Sequence, residues 1–325
     1  MTKPDTIGSI GENESLRRTI SRLNPATSAL VGPGDDCAVI AATDGSFVVT
    51  TDTMVEGHDF KPYWSSGFDL GWKAVATNLA DVAAMGAKPT AITVALVAPS
   101  DTEISWLEAF ADGLKAGCEA LAPGCGVVGG DLAAGEQIVI AVTAHGSLEG
   151  RAPVLRSGAK IGDIVAVAGT LGRAAAGLAL LQSGNADAIS AYDDLVNTQL
   201  RPNPPISSGI EAAEAGATSM LDLSDGLARD AARIARASGV SVSIDEKQLQ
   251  GFEAVLEQAA QAIEADPKLW VIGGGEDHSL LATFDANSQI PRSFKPIGVV
   301  IEAGKAEVFL GGKPLNEQGW DSVRG

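Results

Sequence analysis

The sequence contains little cysteine and no long apolar run. Its three cysteines, Cys37, Cys118 and Cys125, are odd in number and show no Cys-x-x-Cys spacing, so the pattern predicts neither a disulfide framework nor a zinc site. No run of 18 apolar residues could span a bilayer. The first 20 residues also show no basic segment followed by an apolar one, as an export signal requires. We therefore expect a cytoplasmic protein that does not bind or cross a membrane.

Basic residues are also scarce. The chain has 23 Lys and Arg against 41 Asp and Glu, a formal net charge of −18. This charge argues against nucleic-acid binding, because a phosphate backbone would be repelled. For most surface acids, solubility is the simplest interpretation. A polyphosphate ligand would need metal cations as a bridge.

The common glycine-rich nucleotide motifs do not apply. Gly124, Gly126 and Gly129 have the G-x-G-x-x-G spacing, but the dinucleotide fingerprint needs a strand before it and a helix after it. Here a predicted helix precedes the glycines and the predicted strand QIVIAV follows them. No G-x-x-x-x-G-K-[ST] sequence occurs, which excludes a P-loop.

The 325 residues suffice for two domains. Helix-like and strand-like segments alternate, which predicts a mixed α and β fold. Residues 150–162 are rich in glycine and basic residues and indicate a domain junction. The predicted helices are SLRRTISRL, FDLGWKAVATNLADVAAMG, SWLEAFADGLKAGCEAL, GRAAAGLALL, PISSGIEAAEAGA, GLARDAARIARASG and FEAVLEQAAQAIEA. The predicted strands are SFVVTTDT, AITVALVAP, QIVIAVTAHGSL, DIVAVAGTLG, SMLDLS, VSVSI, KLWVI, HSLLATF, PIGVVI and AEVFL.

Acidic residues recur beside Gly or Thr at the ends of apolar runs. They are Asp35, Asp36, Asp52, Asp81, Asp131, Asp222, Asp225, Glu276 and Asp277. A carboxylate at the edge of an apolar core is costly unless it is paired, hydrogen-bonded or ligated, and few basic residues lie near these acids in sequence. Oxygen ligands without a His or Cys cluster favour Mg²⁺ over Zn²⁺. Several Mg²⁺ ions in an acidic protein point to phosphate chemistry.

Each acid alone has a simpler interpretation. Gly-Asp is common in turns, and Ser224 or Asp225 could cap the helix that follows SMLDLS. Lys73, Thr77 and Asp81 share one face of a predicted helix, which is either a solvated face or a functional polar stripe. His58, His145 and His278 are scattered, and we expect at least two of them to be structural.

With these residues in view, the chain resembles the thiamine-monophosphate kinase family over nearly its whole length. The matching stretches are GPGDDCAVI, TTDTMVEGHDF, WKAVATNLADVAAMGAKP, GGD, LRSGAKIGD, LDLSDGL and GGGED, in the family's order. That family belongs to a superfamily with aminoimidazole ribonucleotide synthetase, selenophosphate synthetase and a hydrogenase-maturation protein.

The resemblance implies a two-domain, aminoimidazole ribonucleotide synthetase-like fold. Residues 1–150 would form an α/β domain that binds metal and ATP and dimerises through its sheet. Residues 151–325 would form an α+β domain that binds ATP and substrate. The implied reaction is Mg²⁺-dependent transfer of the γ-phosphoryl group of ATP to thiamine monophosphate, which gives thiamine diphosphate in the last step of its biosynthesis. No general base is expected, because the acceptor phosphate is already ionised at pH 7.

The resemblance also implies roles for individual residues. The expected ligands of several Mg²⁺ ions are Asp36, Thr50, Thr51, Asp52, Asp81, Asp131, Asp222 and Asp225. The expected ATP contacts are Gly130, Asp131, Arg156 and Ser224. The expected substrate contacts are Asp59, Glu276 and Trp320.

One departure concerns Asp59, because the family usually has His at that position. Here His58 precedes it, so either His58 takes over the contact or the contact is lost. The reactive cysteine of selenophosphate synthetases and the C-terminal cysteine of the maturation protein have no counterpart. The alternatives are an aminoimidazole ribonucleotide synthetase-like enzyme and an inactive metal- or nucleotide-binding relative. ADP release with thiamine monophosphate as sole acceptor would separate them.

Overall fold

The computed structural model describes residues 4–10, 12–31, 39–42, 44–316 and 319. The chain divides into two compact units. The first comprises Met1–Val82 and Lys88–Gly150, and the second comprises Ala83–Ala87 and Arg151–Gly325. No helix in the described part of the chain is long and apolar enough to cross a membrane.

The first unit contains helices and strands in mixed order. The helices are α1 (Ile7–Ile10), α2 (Glu12–Ile20), α3 (Gly67–Ala84), whose last two residues belong to the second unit, and α4 (Ile104–Leu121). The strands are β1 (Ala29–Val31), β2 (Val39–Ile40), β3 (Val48–Val55), β4 (Lys88–Ala98), β5 (Val127–Ala134) and β6 (Val139–Ser147).

Four of these strands form a sheet of order β3-β6-β4-β5. The β4–β5 pair is parallel and the other pairs are antiparallel. Because side chains alternate along a strand, every second residue faces the same side. Val142 and Ala144, on the inner face, are buried. The other face, which we call the open face, carries the exposed residues Val49, Thr51 and Thr53.

Helices α3 and α4 pack with their backbones in contact. A Cβ on Gly71 would lie 2.1 Å from the carbonyl oxygen of Phe110, and a Cβ on Gly113 would lie 2.1 Å from that of Phe68. Gly67 extends this contact by one turn of α3, because its Cβ would lie 2.4 Å from the Trp106 carbonyl oxygen. The close approach needs glycine because any side chain would occupy the space of the facing backbone.

The second unit contains a larger sheet and most of the helices. The helices are α5 (Arg173–Ser183), α6 (Ala186–Ala191), α7 (Asp193–Leu200), α8 (Ile206–Glu214), α9 (Leu227–Ser238), α10 (Glu246–Ala254), α11 (Glu257–Ala262) and α12 (Pro267–Gly273). The strands are β7 (Ile164–Ala168), β8 (Ser219–Leu223), β9 (Ser241–Ile244), β10 (Ser279–Phe284), β11 (Phe294–Ile301), β12 (Val308–Leu310) and β13 (Lys313–Pro314).

The sheet of the second unit has the order β13-β12-β9-β11-β7-β10-β8. Strand β10 lies between β7 and β8 and is antiparallel to both. The carboxyl ends of β7 and β8 and the start of β10 therefore share one edge of the sheet. In this register Leu280 is opposite both Ala168 and Asp222. The segments that meet here contain the candidate residues Asp222, Ser224, Asp225 and Glu276.

The predicted strand KLWVI is wrong, because these residues lie in helix α12. Asp266 caps this helix by accepting a hydrogen bond from the Lys268 N–H at 2.9 Å, and Pro267 occupies its first turn. An N-cap followed by proline is a strong helix start, and it outweighs the strand preference of Trp270 and Val271. The predicted helix FEAVLEQAAQAIEA is also two helices, α10 and α11.

Strand β5 was not predicted, although it carries three residues of the GGD motif. Gly129, Gly130 and Asp131 lie inside the strand and pair with β4. Glycine is rare within strands, so the sequence indicated a turn here. A Cβ on Gly130 would lie 2.2 Å from the Val94 carbonyl oxygen, which shows that glycine permits close pairing of the two strands.

Candidate active site

The inner face of the first unit brings Thr50 to Asp81. Thr50 and Asp52 alternate along β3 and therefore point to the same face. The hydroxyl of Thr50 donates a hydrogen bond to Oδ2 of Asp81 on α3 at 2.8 Å. Asp52 is exposed, and its Oδ1 accepts a hydrogen bond from the Thr53 N–H at 2.8 Å. Oxygen donors from one strand and one helix thus lie on the same side of the sheet.

Thr51 and Asp131 face the opposite side. The hydroxyl of Thr51 donates to the Val142 carbonyl oxygen at 2.9 Å. The register places Asp131 in one cross-strand row with Thr53, on the open face. Three strand spacings of about 4.8 Å separate β3 from β5. A single copy of this unit therefore does not gather all the predicted ligands around one point.

The polar stripe on α3 is buried, so its interpretation as a solvated face is wrong. Lys73 is 4 % exposed and Thr77 is 6 % exposed. The hydroxyl of Thr77 donates to the Lys73 carbonyl oxygen at 3.1 Å. Burying an ammonium group is costly. Lys73 is nevertheless buried on the helix that carries Asp81.

Asn78, which was not among the predicted site residues, lies beside this stripe. It is buried, and its side-chain amide donates to the Ala74 carbonyl oxygen at 2.9 Å. Its Oδ1 has no hydrogen-bond partner among the described residues. The spacing of three residues between Asn78 and Asp81 could have indicated it, because such residues are neighbours on a helix.

The loop after β3 holds His58 and Asp59. Oδ2 of Asp59 accepts a hydrogen bond from the Val55 N–H at 2.7 Å, and Oδ1 lies 2.9 Å from Nδ1 of His58. Both oxygens of Asp59 are therefore engaged within the loop. The side chain of His58 is 41 % exposed, against 24 % for Asp59. His58 is thus the better placed of the two to meet a ligand.

In the second unit, Asp222 is buried near the end of β8. Its Oδ2 lies 3.2 Å from Nδ1 of His278, which is also buried and has a positive φ of 49°. A positive φ is uncommon outside glycine and marks a backbone that the surrounding structure holds in place. This histidine therefore has a polar partner among the candidate residues.

Asp225 is paired with arginines. Arg233 on α9 donates to Oδ2 of Asp225, and Nε of Arg229 lies 3.8 Å from the same oxygen. Positions 225, 229 and 233 are spaced by four, which aligns the arginines along one face of the helix. The expectation that few basic residues lie near the acids is wrong for this one.

Asp230 supports the same turn from within the core. Its Oδ2 accepts hydrogen bonds from the N–H groups of Asp225 and Gly226, each at 3.0 Å, and its Oδ1 accepts one from Arg233. Asp230 is fully buried, and this burial raises its pKa to about 7, an effect that the Arg233 charge opposes. The only signal of this role in the sequence is its place in the first turn of a helix, where an acid is a known capping signal.

The segment GGGED packs against the β8–α9 turn. A Cβ on Gly275 would lie 2.1 Å from the Ser224 carbonyl oxygen, and the Glu276 N–H donates to that oxygen at 3.0 Å. Glu276 has a positive φ of 69°. Nε2 of Gln199 on α7 lies 3.5 Å from Oε2 of Glu276. The backbone contact thus places Glu276 next to Ser224.

Asp277 has a structural role. It is buried and accepts hydrogen bonds from the Thr170 hydroxyl at 2.6 Å and from the N–H groups of Arg173 and Ala174 at 3.3 Å each. Burial raises the pKa of this carboxyl. It therefore satisfies donors at the start of α5, where helix N–H groups lack intrahelical partners.

Arg156 is exposed, and its carbonyl oxygen accepts a hydrogen bond from the Ser238 hydroxyl at 3.2 Å. Asp35, Asp36 and Trp320 lie outside the described residues. Gly319, next to Trp320, lies close to the β8–α9 turn, because its Cβ would be 2.2 Å from the Asp225 carbonyl oxygen. Gly319 therefore lies beside this turn.

The donor set fits a hard cation that is shared with phosphate. Among the described residues, no three His, Cys, Asp or Glu side chains meet as a metal cluster. Mg²⁺ keeps several waters and usually binds one or two carboxylates together with substrate phosphates. Oxygen pairs such as Thr50 and Asp81 suit this mode of binding better than a closed cage of protein ligands.

Both halves of the chain match models of one protein class. The N-terminal domain of AIR synthase related proteins matches residues 34–148, and the C-terminal domain matches residues 160–311. Hydrogenase maturation protein HypE, at 18% identity and a TM-score of 0.67, shares the fold. The two-domain fold implied by the resemblance is confirmed.

Individual relatives are more specific. Thiamine-monophosphate kinase of Mycobacterium tuberculosis is 43% identical over 323 residues, which cover 99% of this chain and 94% of that one. The Corynebacterium glutamicum enzyme is 36% identical and covers 98% and 95%. The structure of AaThiL complexed with AMPPCP and TMP has a TM-score of 0.77 at 30% identity and covers 98% of each chain. The chain belongs to the thiamine-monophosphate kinase family.

Proposed function

We propose that this protein transfers the γ-phosphoryl group of ATP to thiamine monophosphate and so forms thiamine diphosphate, the last step of its biosynthesis. The observation that carries the proposal is the likeness, over nearly the full length of both chains, to a ThiL structure that holds an ATP analogue and TMP. The mycobacterial and corynebacterial relatives that are named thiamine-monophosphate kinase support it.

The transfer is direct, with the substrate phosphate as nucleophile. An ionised phosphate oxygen needs no general base, so the protein supplies position and charge compensation. Mg²⁺ bound to the acids would offset charge on the phosphate oxygens. The proposed ligands are Asp36, Thr50, Thr51, Asp52, Asp81, Asp131, Asp222 and Asp225.

The test of this function uses ATP labelled at the γ-phosphate. Thiamine monophosphate as sole acceptor should give equal amounts of ADP and labelled thiamine diphosphate, in a reaction that requires Mg²⁺. Label that stays covalently on the protein after a chase would contradict direct transfer. Absence of the labelled product with this acceptor would contradict the function itself.

Gly130, Asp131, Arg156 and Ser224 are the proposed ATP contacts. The fork of donors on arginine suits phosphate oxygens. Because the side chain of Arg156 is exposed, Arg156→Ala is expected to raise KM for ATP by about tenfold or more, a loss typical of a charged hydrogen bond, with little change in Tm. A lower Tm with unaltered ATP kinetics would instead assign Arg156 to the junction between domains.

His58 is proposed to take over the substrate contact that the family places at the position of Asp59. Asp59, whose Oδ1 lies 2.9 Å from Nδ1, would fix the orientation of the imidazole ring for this contact. We expect His58→Ala to raise KM for thiamine monophosphate by about tenfold or more, with KM for ATP unchanged. Steady-state kinetics with each substrate varied in turn measures both values.

Asp59→Asn is the matched variant, because asparagine can still accept the Val55 N–H. It should change KM for thiamine monophosphate less than His58→Ala does. The reverse order would show that Asp59 itself contacts the substrate.

Glu276 and Trp320 are the proposed partners of the cationic thiazolium ring. A carboxylate and an aromatic face both attract such a cation. The contact of Glu276 with Ser224 and the position of Gly319 against Asp225 support this placement.

We also propose a cytoplasmic homodimer that binds neither membranes nor nucleic acid. The open face of the first unit, with Val49 and Thr51 exposed, is the proposed contact with a second copy, because a second copy could bury an exposed apolar side chain such as Val49. Cys118 and Cys125 are both buried free thiols, which suits a reducing compartment. Light scattering of the pure protein, which shows whether a particle contains one chain or two, tests the dimer.

A further inference from the structure

A buried carboxylate holds the backbone of the β8–α9 turn. Asp230 is fully buried, whereas Asp225 at the turn is partly exposed. Oδ2 of Asp230 accepts the N–H groups of Asp225 and Gly226 at 3.0 Å each. Two consecutive peptide groups are thus held by one oxygen, which fixes the direction in which the Asp225 side chain leaves the backbone.

Arg233 adds a second link between the two acids. One terminal nitrogen of its guanidinium donates to Oδ1 of Asp230 and the other donates to Oδ2 of Asp225. The planar guanidinium presents its donors in a rigid fork, so the two carboxylates are held at a set separation. The backbone and the side chain of Asp225 are therefore both restrained from Asp230.

The surrounding backbone leaves the turn little freedom. Gly226 has a φ of 112°, and its Cβ would lie 2.6 Å from the Gly273 carbonyl oxygen. A Cβ on Gly275 would lie still closer, at 2.1 Å, to the Ser224 carbonyl oxygen. With the turn enclosed in this way, loss of the Asp230 contacts would leave two N–H groups buried without partners, which is expensive.

We propose that Asp230 is a positioning residue, which together with Arg233 sets the place of the Asp225 carboxylate for cation binding. This inference rests on the proposed function, since it takes Asp225 as a ligand of the phosphate-bound cation. Groups that hold a metal ligand from behind typically change metal affinity or activity by 10–100-fold when they are altered.

The test compares Asp230→Asn and Arg233→Lys with the parent. Asparagine keeps one oxygen for the two N–H groups but presents an amide to Arg233. Lysine keeps the charge at 233 but cannot reach both acids at once. Both variants are expected to raise the Mg²⁺ concentration for half-maximal rate and the Kd for Mn²⁺, measured by EPR without turnover, by about 10–100-fold. KM for thiamine monophosphate should stay near the parent value.

Asp245→Asn is the matched control. Asp245 also accepts a backbone N–H, that of Lys247 at 3.0 Å, at the start of a helix in the same unit. It should leave both cation readouts unchanged. If Asp230→Asn does not fold, Arg233→Lys carries the test, because it removes no buried acceptor.

The outcomes separate the inference from the proposed function. A lower Tm with unchanged Mn²⁺ affinity would reduce Asp230 to a structural role and overturn the proposal. Tighter Mn²⁺ binding by Arg233→Lys would also overturn it, because Arg233 would then compete with the cation. If the parent transfers no phosphate, the proposed function fails, and the Mn²⁺ measurement still decides on Asp230. A parent that binds no Mn²⁺ contradicts the positioning role.

Discussion

Replacement of Asp222 or Asp225 by asparagine is expected to lower kcat by at least about 10²-fold each, or roughly 2.7 kcal/mol of barrier. Asparagine keeps an acceptor oxygen for the contact of Asp222 with His278. At position 225, Arg233 stays bonded to Asp230 in the variant, so the fold is retained. What is lost is ligand charge next to the transferred phosphoryl group, and with it transition-state stabilisation.

Both variants should also need more Mg²⁺ for half-maximal rate, which a series of kcat values against Mg²⁺ concentration measures. Asp266→Asn is the control, because Asp266 only caps α12 through the Lys268 N–H. If Asp225 were merely a helix cap, its Asn variant would behave like this control. An unchanged Mg²⁺ requirement in both site variants would leave their metal role without support.

Gly113→Ala is expected to lower the free energy of unfolding by about 3 kcal/mol or more, because overpacking of a rigid interior is costly. The added methyl group would lie 2.1 Å from the Phe68 carbonyl oxygen. That atom belongs to the backbone of α3 and cannot turn aside as a side chain could. The two helices must therefore move apart, which disturbs the helix that carries Asp81. Urea unfolding followed by circular dichroism measures the change.

Gly251→Ala is the matched control for this prediction. Gly251 also lies within a helix, α10, but no atom lies within 4 Å of its added Cβ. Alanine is the better helix former and restricts the unfolded chain, so this variant should be neutral or slightly more stable. A Gly113→Ala protein as stable as Gly251→Ala would contradict the backbone contact between α3 and α4.

Strong periodicity predicted most elements correctly, and the failures have physical causes. Residues 67–84 carry a long helical pattern and form α3. In contrast, the short run KLWVI has the composition of a strand, and only its capping residues Asp266 and Pro267 indicate a helix. Strand β5 was not predicted, because its two central glycines are unfavourable in an isolated strand. The close approach of β4 requires these glycines.

The sequence by itself determined the family, through seven short motifs in order, and the positions of the acids along the chain. It also determined that Thr50 and Asp52 share one face of a strand, because alternation is a property of the backbone. Local properties of this kind do not depend on residues that are distant in sequence.

Only the tertiary structure decided which groups meet each acid. Asp81 receives the hydroxyl of Thr50, Asp222 meets His278, and Asp277 binds the start of α5. Partners separated by 31, 56 or 104 positions in sequence come together only through strand register and helix packing, in which a shift of one residue would turn each side chain to the opposite face. The motif SDG can be recognised in the sequence. Its hydrogen bonds to the buried Asp230, in contrast, depend on the packing of α9 against the sheet.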